Sequence, residues 1–502
     1  MRVHNLRIGF ATNSSSTHSI IYVPTGKLAG ISEDLDYTDE YFGWDNFTLT
    51  SREAKMEYVV SQLSNAFHNL NIPEYMQVAY FRDQFGPDVL PRSVDHQSVW
   101  SQPRAQRNGK KSLPEAWVED LRTFIIDNPN MIILGGNDNS DGHPLLESFG
   151  LGGYDEATDE EVTTHEGVHS LSVSQGFGYS YSRREAPGLW TFFNPKTGEK
   201  ITMDLDPTRT ERPRSIAPEL VDIKITDYCP FGCTFCYQGS TQAGKHASYS
   251  SWGSDKPNLY SILTGCAEKG VFEIAYGGGE PTLHPEFLDI LRTTANLGMV
   301  PSFTTKNLAW FRQDEVVREA LEYVGGIAFS VDNAAQIEAY GRISAKYGGN
   351  QPSSPNRFTI HIVMGLQSLD TLKDMLITAH KHRLHVTLLG YKTTGRGNEV
   401  TPESYDGWAA LVTDLIEERK SPSISVDTAL AATHANELAA QDFPSWLYYT
   451  SEGQHSAYID AVAGTVGMSS YAPKETMIPL EPRNFDVLWN QILEVAEESP
   501  LP

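Results

Sequence analysis

The sequence predicts an α/β fold: strand–helix units that lay down a parallel sheet and curl it into a full or partial barrel. An α+β domain precedes it and a small α+β extension follows. Three observations predict this. Between residues 216 and 400, short apolar runs alternate with helix-like stretches, and regular alternation of that kind gives a parallel sheet with right-handed crossovers. The polar motifs of this region fall just after the runs, at the strand ends where such barrels carry their active sites. The stretch 206–214, Asp-Pro-Thr-Arg-Thr-Glu-Arg-Pro-Arg, is polar and proline-rich as a linker is. The expected organisation is therefore 1–215, 216–400 and 401–502.

In the first segment, length alone calls for a separate domain. The run Thr12 to Thr17 is polar and reads as a turn or cap. Gly135 to His143, Gly-Gly-Asn-Asp-Asn-Ser-Asp-Gly-His, reads as a solvated loop. Residues 189–193 and 200–205 flank Asn194-Pro195-Lys196-Thr197-Gly198, a hairpin signature. His165-Glu166-Gly167-Val168-His169 spells H-E-x-x-H, which binds zinc only on a helix, where residues four apart share a face. A glycine sits inside it and 170–174 alternates like a strand, so a chance match is expected.

In the middle segment the expected strands are 220–226, 272–276, 300–304, 326–331, 358–364 and 384–389. The expected helices are 259–269, 286–297, 314–323 and 370–382. The first strand leads into Cys229-Pro-Phe-Gly-Cys233-Thr-Phe-Cys236, which holds three of the chain's four cysteines. Three thiolates on one loop suit three irons of a [4Fe–4S] cube, leaving the fourth iron open. The competing reading is a zinc tetrahedron completed by a histidine such as His246, although no second ligand pair follows. A disulfide is the weakest reading, because four cysteines in so long a chain are no stapling framework. The second strand leads into Gly277-Gly278-Gly279-Glu280-Pro281. Taken alone, that is a turn.

Together, C-x3-C-x2-C after the first strand and Gly-Gly-Glu-Pro after the second resemble the radical SAM superfamily. The resemblance implies a six-stranded partial (β/α)6 barrel. It implies one [4Fe–4S] cluster on Cys229, Cys233 and Cys236, and S-adenosylmethionine (SAM) on its open iron. It places Phe235 near the adenine and Gly278, Gly279, Glu280 and Pro281 around the methionine amino group. Ser330 and Asp332, closing the fourth strand, match positions that contact SAM in such proteins, though turn formation explains them equally. Asn307 and Arg396 are further candidates at strand ends, whereas Met364 reads as core packing. The implied activity is reductive cleavage of SAM to methionine and a 5′-deoxyadenosyl radical that takes hydrogen from a substrate. The implied electron donor is a flavodoxin or ferredoxin.

Past residue 440, 456–460 and 464–468 read as a hairpin and 484–493 as a helix. This resembles the SPASM or twitch extension of peptide-modifying radical SAM enzymes, which binds auxiliary clusters through extra cysteines. Ser469 and Ser470 stand where a cysteine is expected and none follows Cys266, so no thiolate-held auxiliary cluster is expected. Cys266, alone on a helix, reads as a small buried hydrophobe.

Composition bounds the rest. Thirty-nine Lys and Arg against 64 Asp and Glu give a formal charge of −25, which disfavours non-specific nucleic-acid binding. No apolar stretch is long enough to span a membrane and no signal peptide is evident, so a reducing cytoplasm is expected. The extension favours a peptide or protein substrate. The alternatives are a nucleotide or small metabolite as substrate, or, from another class, a zinc-stabilised binding protein.

Overall fold

The computed structural model of the chain describes residues 16–23, 41–42, 47–69, 72–87, 89, 91, 93–94, 105–107, 110–112, 114–137, 169–173, 181–196, 198, 200–209, 213–249, 258–348, 357–443, 448, 450, 452–480 and 485–498. Contacts divide the chain into two compact units, Met1–Pro213 and Arg214–Pro502.

In the second unit, β1 (Leu220–Thr226), β2 (Glu273–Gly278), β3 (Val300–Thr305), β4 (Gly326–Ser330), β5 (Phe358–Val363) and β6 (His385–Leu389) pair in parallel in that order. Between them run α1 (Leu259–Lys269), α2 (Phe287–Asn296), α3 (Asp314–Tyr323), α4 (Ala334–Lys346) and α5 (Leu369–Lys381). Each helix has a local cause. Asn258 and Ser261 close a capping box on α1, and Ser368 caps α5. On α2, Phe287, Ile290, Leu291 and Thr294 make a buried stripe of helical period. Helix α4 is not among the expected helices. Its buried stripe is only Ile337, Tyr340, Gly341 and Ser344, and its clearest signal is Asn333, whose side chain accepts from the Gln336 amide.

The six expected strands are not the whole sheet. β7 (Ile424–Val426) runs parallel beside β6, and β8 (Ser456–Asp460) runs parallel beside β1. β9 (Thr465–Gly467) and β10 (Ile478–Pro479) continue antiparallel, giving the order β7-β6-β5-β4-β3-β2-β1-β8-β9-β10. The expected hairpin forms, with Tyr458 opposite Gly467, but its first strand extends the barrel sheet instead of standing apart. The sheet curls. Arg396, beyond β6, donates to carbonyls of Cys233 and Ser240, beyond β1. Val221, Ile223 and Ile225 share one core with Ile262, Leu263 and a fully buried Cys266 on α1.

The first unit is α+β. Phe47–Leu49, Met131–Asn137, Ser16–Tyr22 and His169–Val173 form a sheet in that order, near helices Arg52–Asn69, Glu74–Phe85 and Glu115–Leu121. The expected hairpin is present as Leu189–Phe193 paired with Lys200–Asp204, joined by Tyr181–Ala186. Two loop expectations are corrected: Ser16 and Thr17 begin a strand, and Gly135 and Gly136 end one. In both, cross-strand pairing outweighs the local turn preference of small polar residues. Residues 12–15, 138–143 and 165–168 lie outside the described residues. Among the described residues, no helix is long and apolar enough to cross a membrane.

Candidate active site

A cavity of about 320 Å³ sits in the second unit, lined by Cys229, Cys233, Cys236, Phe235, Gly278, Gly279, Glu280, Ser330 and Asp332 among others. These residues come from the ends of β1, β2 and β4, as a parallel barrel requires.

The cysteine loop is held by backbone bonds and by the segment after β6. Cys229 N donates to Thr241 O at 2.9 Å, and Gly239 N to Cys236 O at 3.0 Å. Arg396 braces it from behind: Nε donates to Cys233 O and Nη1 to Ser240 O, both at 3.0 Å, while its own amide donates to Cys236 O at 3.0 Å. Gly395 (φ +56°) packs so closely that a Cβ would lie 2.3 Å from Tyr237 O. Arg396 is thus a strut of the loop and is not among the residues lining the cavity.

All three thiols are free and partly exposed, and burial pushes the Cys229 thiol above its ordinary value, partly offset by a backbone hydrogen bond from Phe231. Tetrahedral zinc at ~2.3 Å from sulfur needs its ligand atoms within about 4 Å of each other. Among the described residues, the one trio of candidate ligands whose atoms lie within 4.8 Å of one another is Asp406, His434 and Glu437; the cysteines and His246 form none. His246 instead meets Thr226 Oγ1 at 2.8 Å through Nδ1 and packs edge-on against His284. The donor set, three soft sulfurs on one cavity wall, fits an iron–sulfur cube better than zinc.

The glycine motif has a structural cause that its sequence does not reveal. A Cβ on Gly278 (φ +120°) would lie 2.3 Å from Thr226 O, and one on Gly279 would lie 2.2 Å from Tyr228 O. These glycines let β2 close onto the cysteine loop, with Gly279 N donating to Thr226 O at 2.6 Å and Glu280 N to Tyr228 O at 2.8 Å. The two motifs are one knot. Gly277, where a Cβ would meet nothing, faces the open cavity.

Glu280 is buried, yet its carboxylate is well supplied. Oε1 accepts from Thr305 Oγ1 (2.7 Å), Thr282 Oγ1 (2.6 Å) and Thr282 N (3.2 Å), and Oε2 accepts from Lys306 N (3.0 Å). Burial still raises its pKa, against those hydrogen bonds. Pro281 opens the short turn Pro281–Leu283 and is buried behind the wall. Asn307 also sits behind it, donating to Thr282 Oγ1 and accepting from Trp310 N. Met364 is core, as expected.

Lys306 is not among the sequence candidates. Its Nζ lies 2.7 Å from Asp332 Oδ1, 3.7 Å from Cys233 Sγ and 5.4 Å from the centre of the Phe235 ring. It ties three predicted residues together; a lysine at a strand end between Thr305 and Asn307 is its only signal. Equally unforeseen is the seam side of the cavity, where the two ends of the sheet approach. Asp222, His361, Lys392 and Tyr458 line it, and Lys392 Nζ lies 4.9 Å from the Tyr471 ring.

Residues 223–391 match the family model of the Radical SAM superfamily. Over 211 residues the chain is 26% identical to the PqqA peptide cyclase of Methylorubrum populi, covering 40% of this chain and 51% of that protein. Over 90 residues it is 33% identical to the GTP 3′,8-cyclase of Vibrio atlanticus, covering 17% of this chain and 25% of that one. The chain thus spans about half the length of the curated peptide cyclase it matches. Among solved structures, SuiB of Streptococcus suis bound to S-adenosylmethionine aligns at 14% identity and a TM-score of 0.38, covering 57% of this chain and 82% of that one. The matched segment runs from within β1 past the end of β6 and includes both motifs, so this part of the chain is a radical SAM domain.

Proposed function

We propose that this protein is a radical SAM enzyme that modifies a peptide. The observation that carries the reading is the knot itself: three free thiols and the Gly-Gly-Glu-Pro turn, joined by hydrogen bonds, on one cavity at the strand ends. Cys229, Cys233 and Cys236 would hold one [4Fe–4S] cluster, and SAM would lie along Gly277 to Glu280 towards Ser330 and Asp332. Bound there, the cluster would pass one electron from an external donor to SAM, supplying reductive cleavage and, through it, hydrogen-atom abstraction from the substrate.

The chain's own residues orient and exclude. Glu280, already fixed by Thr282, Thr305 and Lys306, presents a preset carboxylate to an ammonium group. Lys306 braces Asp332 and sets a positive charge beside Cys233. Apolar walls such as Phe235, Val331 and Leu389 keep water from a reactive centre. The peptide assignment leans on the named activity of the peptide cyclase relatives. A flavodoxin or ferredoxin as donor and a reducing compartment accord with an oxygen-labile cluster.

Anaerobic reconstitution tests this. About four irons per chain, a broad absorption near ~400 nm and 5′-deoxyadenosine on reduction with SAM are expected. Substituting Cys229, Cys233 and Cys236 together by Ala should remove the iron and the product, whereas Cys266→Ala should change neither. A triple variant that retained a full cube would sink the reading.

A further inference from the structure

We propose that the seam side of the cavity is a subsite for a positively charged group of the substrate, a lysine or arginine side chain if the substrate is a peptide, with Asp222 as its anchor. This rests on the proposed function and names the substrate chemistry of the same cavity.

The first support is an unpartnered acid. β1 reads Leu-Val-Asp-Ile-Lys-Ile-Thr; Val221, Ile223 and Ile225 are buried in the core behind the sheet, while Asp222 and Lys224 reach the cavity. The Lys224 ammonium is already committed, to Asp227 at 2.5 Å and Asp460 at 3.0 Å. The Asp222 carboxylate, exposed to the cavity, makes no hydrogen bond or ion pair within 4.0 Å with any described residue. No described group of the protein uses this carboxylate, which leaves it for a guest in the cavity.

The second support is the local charge count. Asp222, Asp427 and Glu452 surround a single ammonium, that of Lys392. That ammonium is also engaged. It lies 3.7 Å from Asp427 Oδ2 and is flanked by the rings of Tyr237 and Tyr471, at 5.0 and 4.9 Å from their centres. Glu452 accepts from Tyr471 OH at 3.1 Å and has no cation within 4.0 Å among the described residues. His361, which also faces the cavity, brings no compensating charge, since burial pushes its pKa down to about 4.

The carboxylates register this shortage. Burial raises Asp222 to about 6, with Lys392 opposing, and raises Glu452 to about 7, with Lys392 opposing and Asp222 adding. An arriving cation would relieve both. The tyrosine rings provide faces suited to the same guest. A guest carboxylate or phosphate would meet three like charges instead.

The test uses the reconstituted protein with SAM bound and three probes followed by NMR titration: N-acetyl-lysine methylamide, its norleucine counterpart, and butylamine. Iron content and 5′-deoxyadenosine are measured on the same samples. The lysine probe should bind at least about tenfold tighter than the norleucine probe. Asp222→Asn, which loses no internal hydrogen bond, should erase that preference while iron content and SAM affinity stay unchanged. Glu452→Gln should reduce the preference in a second, independent variant. Equal binding of the lysine and norleucine probes, or a preference that survives Asp222→Asn, overturns the subsite. So does an Asp222→Asn variant whose loss is in SAM affinity. Butylamine binding as tightly as the lysine probe would overturn the side-chain assignment in favour of a free amine. A wild-type protein that takes up no iron sinks the enzyme reading instead, and the iron assay shows which of the two has failed.

Discussion

The two sides of the cavity are built on opposite rules. On the cysteine side, polar groups are spoken for by the protein itself: Glu280 by Thr282, Thr305 and Lys306, Asp332 by Lys306, and the loop carbonyls by Arg396. On the seam side, Asp222 and the His361 imidazole make no hydrogen bond to any described residue, and Glu452 holds one from a tyrosine. A site whose guests are the same at every turnover, as a cluster and SAM would be, gains from preset geometry, because positioning them costs nothing at the moment of reaction. A site for a substrate that comes and goes can leave its polar groups for the guest to satisfy. On the proposed function, the contrast separates where the chemistry would be set up from where specificity would be read.

Breaking the cysteine side should therefore have the larger effect, and Arg396 is the sharpest point of attack. Charge-assisted hydrogen bonds are worth about 1.5–3 kcal/mol each, and Arg396→Ala removes two at once. The expected outcome is a loop that holds iron poorly, read as under half the wild-type iron per chain after desalting and a thermal midpoint several degrees lower. Arg396→Lys, lacking the fork geometry, should recover only part of this. Full iron retention in Arg396→Ala would show that the backbone knot alone carries the loop.

Glu280 comes next. Glu280→Ala strands the Thr305 hydroxyl and the Lys306 amide, at about 1–3 kcal/mol for each unsatisfied group, so stability and SAM affinity should fall together. Glu280→Gln keeps an acceptor oxygen but no charge. It should preserve much of the fold while still weakening SAM binding by about tenfold or more, by calorimetry. If Gln matched Glu in affinity, the charge would have no role in binding and Glu280 would be a brace alone.

How much of this is legible in the sequence divides along the same line. The cysteine side is readable because its parts lie close along the chain: cysteines at 229, 233 and 236, glycines at 277–279, each at the end of an apolar run. The strands are readable for the same reason, their apolar runs being bounded by turn residues. The role of Arg396 is not readable, since its partners are carbonyls some 160 positions away. The seam side is more dispersed still. It gathers Asp222, Lys392, Asp427 and Glu452 from β1, from the segments after β6 and β7, and from the approach to β8, and only the curl of the sheet brings them together. One signal is available, an aspartate inside an otherwise strand-like apolar run. Helix α4 escapes because its sequence, Ala334 to Lys346, offers few large apolar residues to mark a stripe.

The seam side makes its own, smaller prediction through pH. The folded values of about 6 for Asp222 and about 7 for Glu452 lie above the unfolded ~3.9 and ~4.3. The folded state therefore binds more protons between those limits. The associated stability is present in full below about pH 4 and is lost as pH rises through the folded values. Lys392, Asp427, Tyr458 and Tyr471 face these carboxylates, and solvent in the cavity screens them, so the effect should be modest. Thermal midpoints of the wild type should fall from pH 5 to pH 8 more than those of a variant carrying Asp222→Asn with Glu452→Gln. Parallel pH profiles would mean that neither group titrates on unfolding.

The smallest effect is expected at the H-E-x-x-H motif of the first unit, which reads as a chance match. His165-Glu166-Gly167-Val168-His169 has the spelling of a zinc peptidase, but that spelling needs a helix to bring both imidazoles to one metal. His169 instead opens the strand His169–Val173, opposite Tyr22 of Ser16–Tyr22. Replacing His165 and His169 together by Ala should leave zinc content, thermal midpoint and 5′-deoxyadenosine yield at wild-type values. Stoichiometric zinc in the wild type that disappeared with the double substitution would make the first unit a second metal centre.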